Sequence, residues 1–416
     1  MTHEKNWAGN YAYRSTRLHQ PTSMDELRAV VAGAPKLHAL GSRHSFNDIA
    51  DSAELVSLEL LDQGIEIDTG ASTVTVGAGM RYGALARALE REHLALHNMA
   101  SLPHISIAGA VATATHGSGD ANGNLATAVA ALELVTSDGD VLRVSREDED
   151  FAGMVVGLGA LGVVTRLTLD VQPSYWVRQQ VFEHLGWDVL FDRFDEVTSS
   201  ADSVSLFTDY GATVDQVWLK SRVDPERPKP LRDHFLGALA ASRSLHPVAA
   251  LSAESCTEQL GVPGAWADRL PHFRMDAVPA SGEEIQAEYM LPRRFAVTAL
   301  QAMRDLATVI QPHLFISEVR TVAADDLWLS TAYRTDAVCI HFSWKPDPAA
   351  VERVLPVVEA ALAPFEARPH WGKVFVATAS ELETCYERLP DFRRLAEGMD
   401  RRRAFRNDFL DRHVLG

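Results

Sequence analysis

A short turn near residue 41 brings together residue types that suit a phosphate-containing cofactor. Gly41, Ser42 and His44 follow an apolar run that ends at Leu40. Glycine lets the main chain approach a ligand closely, and successive N–H groups of a tight turn form a concavity that accommodates pyrophosphate. The segment therefore makes a dinucleotide the first candidate ligand. Taken alone, however, it is better explained as an ordinary strand-to-loop connection with a chance histidine.

Small and hydroxyl residues also dominate positions 101–119. Their low bulk would let the backbone approach a large flat group, and their hydroxyl and N–H groups suit ring carbonyls and phosphates. A tightly packed loop with glycine turns explains the same composition equally well. A weaker signal comes from three glycines at positions 157, 159 and 162, which lead into a predicted strand.

Three polar pairs occur farther along the chain, each at alternate positions of a predicted strand. They are Gln286 with Glu288, Glu318 with Arg320, and His341 with Ser343. Alternate residues of a strand point to the same face, so the pairs could build one polar floor. The pattern alone favours a plainer interpretation, the solvated face of a half-exposed antiparallel sheet.

The elements that would carry the first two segments interleave helices and strands. Ser23 is the predicted N-cap of a helix, with Glu26 as its capping-box partner. Asp138-Gly139 predicts a hairpin with a type I′ turn. The other elements predicted here are strands at 36–40, 55–58, 73–77 and 163–171 and an amphipathic helix at 81–96.

From about residue 175 the pattern changes to long alternating segments. Strands are predicted at 204–210, 214–223, 285–291, 314–322 and 337–344, with helices at 293–310 and 349–362. This order predicts an antiparallel sheet covered by helices on one face. We therefore expect an α+β protein of two domains, 11–176 and 177–378, with a C-terminal segment, 379–416, that packs back on the first domain.

Composition restricts the possible functions. The chain has 416 residues and a formal net charge of −17, which disfavours nucleic acid and anionic membranes as partners. Its three cysteines lie far apart and have no metal-site spacing, so no metal and no disulfide framework is expected. Without an apolar leader or a long apolar run, the sequence predicts a soluble cytoplasmic protein, which we expect to be a monomer. P-loop and Rossmann glycine motifs are also missing.

Taken together, the segments resemble the flavin domain of the vanillyl-alcohol oxidase superfamily, the p-cresol methylhydroxylase (PCMH) type. The match is closest to the sugar-alcohol (alditol) oxidases, through the runs 41–47, 98–106 and 115–119. It continues through Glu318-Val-Arg320, His341-Phe-Ser-Trp344 and Arg368-Pro-His-Trp-Gly-Lys373, so it covers essentially the whole chain. The resemblance implies a PCMH-type FAD-binding domain followed by a substrate domain.

The same resemblance implies that FAD is bound covalently through His44. A neutral imidazole nitrogen can add to the electrophilic form of the flavin ring. His104 and His116 are expected to be buried, hydrogen-bonded histidines, His116 beside the cofactor. The other residues expected to bind the cofactor are Gly41, Ser42, Arg43, Ser45, Ser101, Ser106, Gly109, Thr113, Gly117, Ser118, Gly162, Val163 and His370.

For the substrate, the resemblance implies an alditol such as xylitol or sorbitol, whose C1 hydroxyl loses a hydride to the flavin while O2 becomes H2O2. Lys373, Arg320 and His341 are the expected catalytic residues, with Lys373 or His341 as proton acceptor. Ser101, Glu318, Arg320, Lys373, Gln286 and Ser343 are expected to bind the polyol, whereas Glu288 is expected to face water. Ala100 occupies a position thought to control the approach of oxygen.

Two alternatives stay open at this point. One is an aldonolactone oxidase or dehydrogenase of the same superfamily, which differs in substrate ring and electron acceptor. The other, from a different class, is a flavin-holding or small-molecule-binding protein without turnover. His44 argues against the second, because a covalent link serves redox tuning better than carriage.

Overall fold

The computed structural model describes residues 4–227, 229–277 and 283–416. Its first part interleaves short strands and helices. The strands are β1 (Arg17–His19), β2 (Leu37–Ala39), β3 (Glu54–Val56), β4 (Ile65–Asp68), β5 (Thr73–Gly77), β6 (Leu94–Ala95), β7 (Val129–Val135), β8 (Val141–Ser145), β9 (Val163–Asp170) and β10 (Gln172–Pro173). The α-helices are α1 (Met24–Gly33), α2 (Tyr82–Arg91), α3 (Ile107–Ala112) and α4 (Phe151–Val155).

These strands form two sheets and one small ladder. A parallel sheet has the order β1-β3-β2, and an antiparallel sheet has the order β4-β5-β9-β7-β8. Over the residues that the structure describes, strand β6 pairs only with β10. In β9 the residues alternate between buried and half-buried, with Val163 and Leu167 in the core. This alternation is what a strand with one core-facing side requires.

The second part of the chain is dominated by one large sheet. Its strands are β11 (Trp176–Gly186), β12 (Ser203–Thr208), β13 (Thr213–Val223), β14 (His234–Phe235), β15 (Ala238–Ala240), β16 (Gly264–Ala265), β17 (Ile285–Pro292), β18 (Leu314–Val322), β19 (Ala337–Trp344) and β20 (Arg368–Pro369). The α-helices of this part are α5 (Trp187–Asp192), α6 (Phe194–Thr198), α7 (Ala296–Asp305), α8 (Ala307–Ile310) and α9 (Pro348–Leu362).

The chain ends in helices α10 (Ala379–Cys385), α11 (Leu389–Met399) and α12 (Asp408–Leu410). Six single 3₁₀ turns and one π turn connect elements within the described residues. They lie at Leu125–Ala128, Ala253–Ser255, Trp266–Asp268, Arg293–Phe295, Gln311–His313, Ala363–Phe365 and Asp411–Leu415.

The large sheet is antiparallel and has two unlike faces. Its order is β14-β15-β11-β13-β12-β18-β19-β17-β20, with β16 attached to β11. On one face, residues such as Ala287, Tyr289 and Ile340 pack in a core with residues of α7 and α9. Because neighbours in a strand point to opposite faces, Glu288 and His341 lie on the other face. The predicted α+β class and the helix-covered antiparallel sheet are thus confirmed.

Several predicted elements differ in their limits. The helix predicted over 81–96 ends at Arg91, because His93 has a positive φ of 56° and the chain then enters β6. The helix predicted over 293–310 is divided into a 3₁₀ turn, α7 and α8, with Leu306 between the two helices. Ser23 does cap α1, but the Glu26 carboxylate accepts from the Thr22 N–H instead of returning to Ser23.

The hairpin between β7 and β8 is present, but its turn was predicted wrongly. The loop runs from Thr136 to Asp140, and Gly139 is its one residue with a positive φ, 83°. A type I′ turn needs a positive φ at both central residues. The loop is therefore a longer one in which only the glycine is left-handed.

The C-terminal helices pack on the first part of the chain. Leu382, Phe392 and Phe409 share one apolar core with residues of α1, α2 and the five-stranded sheet. The limits proposed for the two domains and the terminal segment stay a prediction. Within the described residues, no helix has the length and apolar character needed to cross a bilayer, and no His, Cys, Asp or Glu cluster has the geometry of a metal site.

Candidate active site

A deep cleft runs between the first part of the chain and the polar face of the large sheet. One wall consists of the turn at 41–46 and the small-residue segment from Ala100 to His116. Leu132 and Leu167 of the five-stranded sheet line its apolar depth. The opposite end is closed by side chains of β17, β18 and β19. The cleft thus joins the two groups of residues that the sequence singled out.

The first group forms what we call the turn cradle, Gly41–Ser45 together with Ser106 and Gly109. Ser42 Oγ accepts from the Ser106 N–H at 2.8 Å, and Ser106 Oγ lies 3.3 Å from the Ser42 N. A Cβ atom at Gly41 would lie 2.5 Å from Ser106 Oγ. The left-handed φ of Arg43, 63°, turns the chain sharply. A side chain at position 41 would therefore displace the Ser106 hydroxyl from its contact with the Ser42 N–H.

His44 lies in the cradle with its ring held on two sides. The Trp7 ring stacks on it at a centroid distance of 5.4 Å, and His44 Nδ1 lies 3.0 Å from Ser42 Oγ. Burial, with a smaller contribution from the nearby His104 and Arg81, lowers the pKa of His44 to about 4. The imidazole is therefore neutral near pH 7 and keeps a nitrogen lone pair.

The structure places most of the expected cofactor residues on the cleft wall, but three lie outside it. Thr113, His116, Gly162 and His370 line the cleft, as does Ala100. The residues outside the wall are Gly117, Ser118 and Val163. Gly117 fits against the Met99 carbonyl, the Ser118 hydroxyl donates to the Val204 carbonyl, and Val163 is a core residue of β9. Their contacts stabilise the loop and the sheet that lie behind the cleft wall.

The second group forms what we call the polar floor. Strand register brings its members together, since Glu318 of β18 lies opposite His341 of β19, which lies opposite Glu288 of β17. Ser343 is likewise opposite Gln286. Lys373 reaches the floor from the segment after β20. The floor residues are Gln286, Glu288, Glu318, Arg320, His341, Ser343 and Lys373.

Glu288 lies at the centre of the floor and is 1% exposed. Its carboxylate accepts from Arg320 Nη2 at 2.8 Å and from Lys373 Nζ at 2.7 Å. His116 Nε2 lies 3.3 Å from the same carboxylate. Burial alone would raise the pKa of Glu288, but Lys373, His116 and Arg320 together hold it well below its ordinary value. The expectation that Glu288 faces water was wrong, because the cradle side of the molecule covers this face of the sheet.

Two carboxylates and two cations alternate across the floor. Glu318 Oε1 lies 3.4 Å from Arg320 Nε, and Arg320 Nη1 donates to Ser101 Oγ at 3.4 Å. Burial alone would raise the pKa of Glu318. Arg320 and His272 lower it, and the net effect is a decrease. Such a buried network is stable only when opposite charges compensate each other. The solvated-face interpretation of the polar pairs therefore does not hold.

Lys373 and His341 form a coupled pair beside Glu288. Lys373 Nζ donates to His341 Nδ1 at 2.8 Å, and His341 Nε2 lies 3.2 Å from Ser343 Oγ. Burial, followed by the Lys373 charge, lowers the pKa of His341 to about 3. Burial also lowers the pKa of Lys373, although Glu288 opposes this. The pair can thus hold or release a proton inside the cleft.

Two further residues of the site were not predicted. His272 Nε2 lies 2.8 Å from Glu318 Oε1, and Lys220, which is 1% exposed, donates to His272 Nδ1 at 3.1 Å. His272 comes from an irregular segment with no periodic signal. Lys220 did have a periodic signal. It lies two residues after Trp218 in a predicted strand, on the same face as the fully buried Trp218 ring.

The cleft has the features that an extended flavin dinucleotide requires. Backbone and hydroxyl groups of the cradle suit phosphates, apolar residues line the depth, and a neutral histidine and a charged floor meet at one end. The residues present therefore fit FAD.

Comparison with known proteins agrees with this fit. Residues 16–145 match the model of the FAD-binding domain family, and residues 277–413 match that of D-arabinono-1,4-lactone oxidase. The chain is 47% identical to an alditol oxidase of a Streptomyces species over 97% of both chains. It is 31% identical to an L-gulono-1,4-lactone dehydrogenase of Mycobacterium tuberculosis over 99% of this chain and 98% of the relative.

Among solved structures, cholesterol oxidase from B. sterolicum superposes with a TM-score of 0.79. It is 15% identical, and the match covers 99% of this chain and 96% of that one. This likeness shows that the two proteins share a fold. The full-length identity to the Streptomyces enzyme shows that the chain belongs to the alditol oxidase family of FAD-dependent oxidases.

Proposed function

We propose that this protein oxidises the C1 hydroxyl of alditols such as xylitol and sorbitol to the aldose, with O2 as the electron acceptor and H2O2 as the second product. The polar floor carries the proposal. Seven polar side chains converge on the end of a flavin-sized cleft. Four of them are two acidic and two basic groups whose opposite charges compensate each other. A polyol, which offers hydroxyls along its whole length, suits such a surface, and analogues without hydroxyls would leave buried groups unpaired.

FAD, when bound, supplies the two-electron acceptor that takes the hydride from carbon 1 and passes the electrons to O2. We propose His44 as its covalent anchor. The neutral state of the ring and its fixed position against Trp7 support this role, because only an unprotonated nitrogen can form the bond.

Arg320 and Lys373 are proposed to bind the O1 atom of the substrate. Both lie next to Glu288, and the Arg320 cation stabilises the negative charge that develops on O1 as its proton leaves, whereas Lys373 accepts a proton only in its neutral form. The proton is proposed to pass to the Lys373–His341 pair, whose 2.8 Å contact allows it to be shared.

The remaining hydroxyls are proposed to bind Ser101, Glu318, Gln286 and Ser343. Glu318 uses Oε1 for His272 and Arg320, and among the described residues no hydrogen bond is formed to Oε2. This oxygen is therefore free to accept from a hydroxyl. Arg320 beside it donates, so adjacent hydroxyls with opposite roles are matched by adjacent partners.

Oxidation of an aldonolactone is the competing function. It is supported by the match of residues 277–413 to the D-arabinono-1,4-lactone oxidase model. The 31% identity to a lactone dehydrogenase is lower than the 47% identity to an alditol oxidase over similar coverage. We therefore rank the open-chain polyol first.

An aerobic peroxide assay with xylitol, sorbitol, glycerol and a galactonolactone tests the proposal. We expect peroxide from xylitol and sorbitol at the highest kcat/KM. Turnover of the lactone alone would support the competing function, and reduction of a dye without peroxide would remove O2 as the acceptor.

All three cysteines are free thiols, two of them buried. This supports, as a proposal, a reducing cytoplasmic location. A monomer is likewise proposed, and sedimentation analysis of the holoenzyme tests it.

A further inference from the structure

A buried lysine lies behind the polar floor and takes no part in the proposed chemistry. Lys220 of β13 is 1% exposed, and within the part of the chain that the structure describes no carboxylate contacts it. Its three N–H groups donate to the Leu270 carbonyl, the Pro271 carbonyl and His272 Nδ1, at 2.5, 2.9 and 3.1 Å. Burial lowers its pKa to about 7. Placing an ammonium group here is costly, so its contacts need a reason.

The contacts with Glu318 and Lys220 determine which nitrogen of His272 carries the proton. The Glu318 carboxylate can only accept, so the ring proton lies on Nε2, and Nδ1 accepts an N–H from Lys220. The Nε2–H then donates to Glu318 Oε1 at 2.8 Å. The other tautomer would direct a lone pair at the Glu318 carboxylate. Lys220 thereby fixes the donor that holds Glu318.

The same segment also contacts the cradle side of the cleft. The backbone N–H groups of His272 and Phe273 donate to the Ser101 carbonyl at 3.0 and 3.3 Å. Ser101 Oγ in turn accepts from Arg320. Lys220 therefore anchors a short segment that touches a substrate-facing residue on each side of the cleft.

We propose that Lys220 and His272 are positioning residues that orient Glu318 and Ser101 for recognition of the polyol hydroxyls. The proposal rests on the proposed function. Neither residue contacts the reacting atoms. Their effect is to keep Glu318 Oε2 directed at the substrate while Oε1 is held by His272 and Arg320.

A double-mutant cycle tests this coupling. Lys220→Met and His272→Leu are each expected to raise the Kd for xylitol about 10- to 100-fold, the range for one lost hydrogen bond to a charged group, with a smaller change in the limiting rate of flavin reduction. His272→Gln, which keeps an N–H donor, is expected to restore most of the affinity. In a Glu318→Gln background, His272→Leu is expected to add no further loss. Losses that simply add, or an unchanged Kd in both single variants, would overturn the proposal.

Gln259→Met is the matched control. Gln259 is fully buried in the same irregular region, but among the described residues its side chain bonds only to the backbone of Leu245. The variant is expected to lower the melting temperature as the test variants do and to leave the Kd for xylitol unchanged. An equal rise in Kd would show that any damage to this region acts on the site, against a specific role for Lys220 and His272.

A crystal structure of the Lys220→Met holoenzyme separates this proposal from the proposed function. If wild-type enzyme is not reduced by xylitol, the proposed function fails, whereas the structure still decides the positioning role. We expect residues 270–272 to shift and the His272–Glu318 hydrogen bond to break. An unmoved Glu318 with that hydrogen bond intact would contradict the proposal.

Discussion

The turn cradle and the polar floor face each other across one cleft but are built by different means. The cradle consists mainly of small residues, and a Cβ at Gly41 would lie 2.5 Å from Ser106 Oγ. The floor consists of larger polar side chains, most of them ionisable, on three neighbouring strands and at Lys373, and it is centred on the buried Glu288. The comparison indicates that the cradle depends on volume, whereas the floor depends on charge.

This difference leads to opposite sensitivities. A substitution that adds a methyl group should damage the cradle, and one that preserves shape but removes a charge should damage the floor. His44 is the one residue of the cradle whose proposed role is chemical.

Loss of the proposed covalent bond between His44 and FAD is expected to have an all-or-none effect on flavin retention. His44→Ala is expected to release all flavin on acid precipitation and leave a colourless pellet, whereas the wild-type pellet stays yellow, because the proposed bond survives denaturation. His104→Ala is the control, since the Met275 carbonyl, at 3.0 Å, is the one hydrogen-bond partner of His104 Nε2 among the described residues. A wild-type pellet that loses its colour would exclude the tether.

Lys373→Met is expected to slow anaerobic flavin reduction by xylitol about 10²- to 10⁴-fold, the range for a lost general acid or base. Stopped-flow absorbance measures this rate. The control is Lys345→Met, because Lys345 lies at the surface and its Nζ donates to the Pro312 carbonyl. A reduction rate that stays within threefold of wild type, roughly 1 kcal/mol or less, would remove Lys373 from the mechanism.

The pH dependence of the flavin reduction rate shows whether Lys373 acts in its neutral or its protonated form. Burial lowers the pKa of Lys373, so the amine becomes neutral at a lower pH than an exposed lysine would. A protonated amine cannot accept the O1 proton. The reduction rate is therefore expected to rise with pH through that pKa, and Lys373→Met is expected to flatten the profile. A rate that falls over this range in the wild type would argue for the protonated form.

Glu288→Gln preserves shape and removes the central charge of the floor. We expect a loss of about 3–5 kcal/mol in the free energy of unfolding, because Arg320 and Lys373 lose their buried counter-charge. Urea unfolding of the holoenzyme measures it. As a control, Glu66→Gln at the exposed Glu66–Arg166 pair should cost about 0–1 kcal/mol. Equal losses in the two variants would remove the distinction between floor and surface.

Gly41→Ala adds one methyl group to the cradle. The Cβ would displace Ser106 Oγ and weaken the reciprocal contacts of Ser42 and Ser106. A loss of about 1–3 kcal/mol in unfolding free energy is expected. Gly398→Ala serves as the control, since it lies in α11 with no atom within 4 Å of the added Cβ. A Gly41→Ala protein as stable as the control would show that the cradle has room.

The sequence predicted the two regions to different degrees. The cradle could be predicted from local residue types, because a glycine and its neighbours determine where the backbone can approach a ligand. The floor depends on strand register, and periodicity placed Glu318 and Arg320 on one face without showing that Glu288 lies beside them. Glu288 was misassigned because its burial depends on loops about 170–190 residues away, such as those of Ser101 and His116.

Some turn types and helix ends were also predicted wrongly. They depend on single backbone angles, such as the positive φ of His93, that neighbouring side chains do not determine. Lys220 and His272 were missed for a related reason. Their contact joins a strand to a residue of an irregular segment 52 positions later, and the periodicity of a single strand does not predict such a contact.

The central claim is that the charged floor selects an open-chain polyol for oxidation by the bound flavin. Anaerobic titration of the purified holoenzyme with xylitol and, separately, with an L-gulono-1,4-lactone tests it most directly, because it measures flavin reduction without the oxygen step. We expect complete bleaching of the visible flavin absorbance by xylitol and little or none by the lactone. Bleaching by the lactone with no response to xylitol would contradict it.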